Sequence, residues 1–150
     1  MVEDARYRTK VYVETYWTRA NATDDDDNAL GVEVMFDSPD YPLTWEFKEP
    51  SVVDVVLTIG KPDSKPLIGH DKKAYGYEEH VPIKIFSVDK TGVTGTKAVW
   101  QAETELRRIT ETYPSGSMRT LDRIGDRDQN LGSTILYCTE YILNYRRDTT

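Results

Sequence analysis

The carboxylates, imidazoles and lysines between residues 62 and 80 are where this sequence comes nearest to chemistry. Pro62-Asp63 followed by Asp71-Lys72-Lys73 imitates the Pro-Asp…Asp/Glu-X-Lys pattern of metal-dependent nucleases. In such a site two carboxylates hold Mg²⁺ and a lysine helps orient the attacking water. Pro39-Asp40 followed by Glu46-Phe47-Lys48 imitates it a second time. Gaps of seven and five residues are tight for setting both carboxylates on adjacent strands, and two imitations in one acidic chain point to chance. His70, Asp71, Glu78, Glu79 and His80 offer imidazole and hard oxygen ligands to a metal. A strand starting there would turn Glu79 and His80 to opposite faces.

The remaining candidates have bland explanations. Asp24-Asp25-Asp26-Asp27 repels itself and belongs in a solvated loop. It lacks the spaced ligands, turn glycine and distal bidentate glutamate of a calcium loop. Cys138 is the one cysteine, so an internal disulfide and a thiolate cluster are excluded. Its apolar strand makes it a small core residue rather than a nucleophile. No Gly-X-Ser-X-Gly elbow is present. Gly92-Val-Thr-Gly-Thr-Lys97 ends like a phosphate loop but lacks the length and the Gly-Lys-Ser/Thr order, and suits a turn opening a helix. No catalytic residue, cofactor site or metal site is expected, which moves the search for function to surfaces.

The 150 residues suffice for a single domain with its own core. A net charge of −7 argues against sequence-independent binding to phosphate backbones. Ten tyrosines and three tryptophans, each with an apolar body and a polar tip, serve half-buried strands and interfaces equally. The first residues lack a signal-like apolar core and no run approaches membrane length, so a soluble protein made in the cytoplasm is expected. Against the acidic N-terminal half, Arg107, Arg108, Arg119, Arg123, Arg127, Arg146 and Arg147 gather toward the C-terminus. Such asymmetry suits head-to-tail association of an acidic face with a basic one.

The elements that must position these groups form an α+β pattern. Residues 97–113 carry the clearest one: Val99, Ala102, Leu106, Ile109 and Tyr113 stripe one helix face, Thr94 or Thr96 can cap it, and Pro114 and Gly116 end it. Glu103 and Arg107 form an outer i, i+4 pair. Strands are expected at 31–36, 43–48, 52–59, 78–88, 118–124 and 133–147, with a turn cluster at 37–42. The 52–59 run is apolar on both faces and should lie inside the sheet. Pro82 cannot donate to a ladder, which predicts an edge or bulge there. Residues 5–20 fit either a helix (Ala5, Tyr12, Tyr16, Ala20) or a strand (Val11, Val13, Thr15, Trp17), and the aromatic and β-branched content favours the strand. Residues 60–76 form a long polar connection, expected to be a projecting hairpin or loop. The fold class is therefore α+β, a mixed or mainly antiparallel sheet with one main helix packed on one face.

In element order and texture, residues 52–147 resemble the tail terminator (tail-completion, minor tail) proteins of long-tailed phages and proviruses. The resemblance rests on the strand ending Ile83-Lys-Ile-Phe-Ser-Val88, a short Gly/Thr connection, the single helix, an Arg- and Asp-rich strand, and the closing strand Thr134-Ile-Leu-Tyr-Cys-Thr-Glu-Tyr-Ile-Leu-Asn-Tyr145. It implies a projecting hairpin between the 52–59 strand and the Ile83 strand. It also implies a virion structural protein in the tail or neck: a ring, usually a hexamer, that caps the tail tube and meets the head connector. DNA would pass through its lumen without specific binding. Members of that family usually open with a helix, whereas residues 1–50 here read as strands. No catalytic residue is carried over. Asp24, Asp25, Asp26, Asp27, Lys65, His70 and Lys72 are then the expected projecting contacts, with Arg107, Arg123 and Arg127 as opposite charges. The rival readings are a Mg²⁺-dependent nuclease using Asp63, Asp71 and Lys73, and a monomeric module binding through its tyrosines.

Overall fold

Two strands of 14 residues, β4 (Ala74–Ser87) and β7 (Ile135–Asp148), pair antiparallel from Gly76–Asp148 to Ser87–Tyr137 and carry the rest of the fold. They belong to a computed structural model that describes residues 4–37, 47, 52–114 and 118–148. The sheet order is β1-β2-β4-β7-β5. β1 (Val32–Phe36) lies parallel to β2 (Val55–Ile59), and every other pairing is antiparallel, so the sheet is mixed. β3 (Asp63–Ile68) extends the sheet beside the first half of β4. β5 (Met118–Asp126) and the short β6 (Gln129–Asn130) flank β7 on its other side. The α+β class and the sheet-bound main helix match the sequence reading. The expected strand at 43–48 and most of the 37–42 turn cluster lie outside the described residues, apart from Asp37 and Phe47.

β2 is buried at all five positions between β1 and β4, as its two-sided apolar character requires. Pro82 corrects an expectation, because β4 is an interior strand rather than an edge. The register shows why proline is tolerated. Ile83 faces Ile59 of β2 and His80 faces Asp63 of β3, so Pro82 falls where β4 changes partners. In an antiparallel strand a residue's N–H and C=O point the same way. The Pro82 carbonyl accepts from Gly60 N at 2.8 Å, so the missing N–H faces the β2–β3 junction, where no ladder needs it. Gly60 fits the close approach, since a Cβ there would lie 2.8 Å from the Pro82 ring.

Residues 5–16 overturn the strand reading: Ala5–Tyr16 is a helix, α1. Asp4 caps it by accepting from Arg6 N at 2.9 Å, and Lys10 pairs with Glu14 at 2.8 Å across one turn. Ala5, Thr9 and Val13, spaced by four, face the sheet and are buried. Packing of that narrow stripe outweighs the β-propensity of the remaining residues. Tyr12 ties α1 to the second helix by donating to the Ile109 carbonyl at 3.1 Å and to that of Tyr113. Burial pushes its hydroxyl pKa up to about 12.

The second helix, α2 (Gly95–Thr112), buries Val99, Ala102, Leu106 and Ile109 as the periodicity predicted, and Ala98 besides. Tyr113 instead stacks on Tyr16 at 4.3 Å, half exposed. The expected threonine cap is replaced. Thr94 stands at the N-cap position but turns its hydroxyl to Asp25, and Asp89 accepts from Gly95 N at 2.8 Å. Asp89 also receives the Tyr137 hydroxyl at 3.2 Å, which pins the helix start to β7. Asp89→Ala should lower stability by about 1 kcal/mol, the usual worth of a cap, read as a shift of the urea midpoint at constant slope. Both helices lie on one face of the sheet, over Val55, Leu57, Ile59, Val81, Ile83, Ile85, Tyr141, Leu143 and Tyr145. The opposite face carries a smaller cluster of Phe47, Val56, Phe86, Val88, Leu136 and Cys138.

Candidate interaction surface

The 60–76 connection is a β-hairpin. β3 pairs with the first half of β4, and the turn at residues 69–73 lies beyond Gly76, the residue that faces Asp148 at the end of β7. Lys72 takes a left-handed conformation (φ 63°) in that turn, and Asp71 accepts from Lys73 N at 3.1 Å. Lys65, His70, Lys72 and Lys73 are exposed, as is Ile68 at 60%. Lys65 faces Glu78 across the strands. The arm offers a cationic, partly apolar tip.

Asp24–Asp27, expected to project, is instead folded onto the start of α2. Asp24 accepts from the amides of Asp26 and Asn28, each at 2.9 Å, and Asp27 turns the chain with φ 64°. Asp25 N donates to Gly92 O at 3.0 Å, while its carboxylate receives the Thr94 hydroxyl at 2.8 Å and lies 3.9 Å from Lys97 Nζ. The phosphate-loop-like residues 92–97 therefore face carboxylates, a setting that repels an anion.

The three arginines expected as opposite charges have partners within the chain. Arg107 pairs with Glu103 at 3.2 Å, as the i, i+4 spacing predicted, and lies over the Tyr141 ring. Arg123 meets Asp126 at 2.8 Å and Arg127 meets Glu140 at 3.3 Å. The arginine-rich margin is thus a mosaic of both signs.

The enzyme candidates do not converge. Asp63 sits at the base of the hairpin opposite His80 and Asp71 in its turn, roughly 17 Å apart along β3 at the usual strand rise. Asp40, Glu46 and Lys48 lie outside the described residues. His80 Nε2 is 3.6 Å from Glu78 on one face, whereas Glu79 binds Arg8 at 3.3 Å on the other. Among the described residues no three potential ligands gather for a metal ion. Cys138 is buried, and burial lifts its thiol pKa to about 12, which suppresses the thiolate. No helix among the described residues is long and apolar enough to cross a membrane.

Sequence reasoning missed two features. One is a groove of about 220 Å³ between the first half of α2 and the β5–β7 ladder, lined by Trp100, Glu103, Arg123, Asp126, Asp128 and Tyr137 among others. Trp100 is 60% exposed beside it. Its position on α2 outside the apolar stripe was the available signal. The other is Glu105, 1% exposed, whose carboxylate accepts from Thr18 N at 2.6 Å, from Asn21 Nδ2 at 3.2 Å and from Arg108. With this geometry in hand, comparison with known proteins adds nothing: no family model and no curated protein matches the chain.

Proposed function

We propose that the chain is a virion structural protein, a tail terminator or neck component, which acts by assembling as a ring at the end of a tail tube and meeting the head connector. The observation that supports it most is the order β2, projecting β3–β4 hairpin, β4, α2, β5, short β6, β7 within residues 52–148, with α2 packed on one sheet face. The resemblance asks for that order. The helix at the start of the chain, which the strand reading of residues 1–50 denied, is present as α1. A role through surfaces also agrees with candidate catalytic groups that lie far apart, and with outer edges of β1 and β5 that no described strand covers.

The test is carried out in the genome that encodes the chain. A tagged copy is expected in purified tailed particles, with the label at the head–tail junction. Its deletion is expected to leave filled heads beside unjoined tubes of uncontrolled length. Particles that assemble and infect normally without the chain, or never contain it, overturn the proposal.

A further inference from the structure

We infer that the cationic β3–β4 hairpin tip of one copy docks into the Trp100 groove of the next, a head-to-tail contact between identical chains. The inference rests on the ring reading above and names its contact surfaces.

Three observations carry it. The first is charge. The groove sets the carboxylates of Glu103, Asp126 and Asp128 against Arg123, and Arg107 pairs with Glu103 at its rim, so the carboxylate of Asp128 is in excess. On the paired strands Lys65 faces Glu78, whereas the turn carries Lys72 and Lys73 against Asp71, so the cationic excess lies at the tip. The second is chemistry at the centre. Trp100 and the apolar side of Val99 line a concave, partly apolar site, and the arm ends in exposed Ile68 beside lysines whose stems are apolar and whose ammonium groups suit an indole face. Exposed tryptophan in a groove rimmed by charge is the usual composition of an interface centre.

The third is distance. Tyr137 and Thr139 of β7 mark the groove, while the hairpin turn lies beyond Asp148 at the other end of the same strand. At the usual strand rise Thr139 and Asp148 are about 30 Å apart, so no copy reaches its own groove. A knob at one end and a socket at the other make a heterologous contact, which closes into a ring where the rotation allows and runs on as a filament where it does not. The contact reverses the charge assignment expected from the sequence: the hairpin is the cation, and the face that includes Arg123 is the anion.

The test places one cysteine in the hairpin turn (Asp71→Cys) and one at the groove (Thr96→Cys), both exposed positions. On oxidation the doubly substituted chain is expected to give a ladder of covalent multimers, and each single variant no ladder. Trp100→Ala, and separately Lys72→Glu with Lys73→Glu, should weaken self-association roughly thirtyfold by analytical ultracentrifugation. Circular dichroism of the same samples shows whether they remain folded. Multimers that form without the 71–96 cross-link, and whose association survives both sets of substitutions, overturn the docking and leave the ring reading intact. A chain that stays monomeric at every concentration and at tube ends overturns the docking too, and the particle experiment then decides the ring reading separately.

Discussion

Glu105→Ala is expected to lower the unfolding free energy by about 3 kcal/mol, among the largest effects of any single substitution outside the apolar core. The carboxylate is sealed beneath the link between α1 and the 3₁₀ turn Arg19–Asn21, where it receives the Thr18 amide, the Asn21 side chain and the Arg108 guanidinium. Alanine would leave the Thr18 amide without its carboxylate acceptor, while the exposed Asn21 side chain and the partly exposed Arg108 can turn to water. That escape keeps the cost at the low end of the range for a broken buried pair. Glutamine keeps the shape and part of the bonding and should cost less.

The pH dependence follows from the same geometry. Burial raises the Glu105 pKa, but the bonds from Arg108, Thr18 N and Asn21 outweigh it, and the carboxyl lies below its ordinary value of 4.5. A depressed folded pKa gives stability that is fully present above the unfolded value and is lost as pH falls through the folded one. The advantage of the wild-type chain over Glu105→Gln in urea titrations should therefore be constant above about pH 5.5 and shrink below the ordinary value of 4.5. An advantage unchanged down to pH 3 would mean that the carboxylate is not held by charge-assisted bonds.

Glu105 also marks the boundary of what could be read from the sequence. The stripe of α2 was legible because Val99, Ala102, Leu106 and Ile109 repeat at helical spacing, and β7 because Tyr141, Leu143 and Tyr145 alternate with residues of the other face. Glu105 lies three residues after Ala102 on that same buried stripe, so a count of apolar positions alone passes over it. Its signal was a carboxylate on a core face with Arg108 one turn later. α1 failed for the opposite reason: its buried stripe is only Ala5, Thr9 and Val13, and the threonine at its centre interrupts the apolar periodicity. The hairpin and the closing strands were legible in outline. The ion pairs that neutralise Arg123 and Arg127 were not, since the Arg127 partner, Glu140, is set by the β5–β7 register rather than by helix spacing. For the groove, sequence supplied an exposed tryptophan on a helix, and only the fold brings Asp126 and Asp128 to it.

Gly31→Ala is expected to be at least as damaging, costing 3 kcal/mol or more, about the upper range for single substitutions. The position is defined by backbone rather than by side chains. Gly31 N donates to the Asp54 carboxylate at 2.8 Å, and its carbonyl accepts from Asp54 N at 2.7 Å and Val55 N at 3.0 Å. The chain entering β1 is thereby clamped against the chain entering β2. A Cβ on Gly31 would collide with the Val52 carbonyl oxygen and stand 2.9 Å from its carbon. No rotamer relieves such a clash, because the obstructing atoms are main chain. One of the two strands must shift, and the shift breaks hydrogen bonds on both sides of the clamp. Among the described residues β1 is an edge strand whose one ladder partner is β2, so its pairing is the part expected to fail first. Amide exchange across Val32–Phe36 should accelerate more than a hundredfold in Gly31→Ala, while the β4–β7 ladder keeps most of its protection. Equal loss of protection in both would instead make β1 part of one cooperative unit with the central ladder.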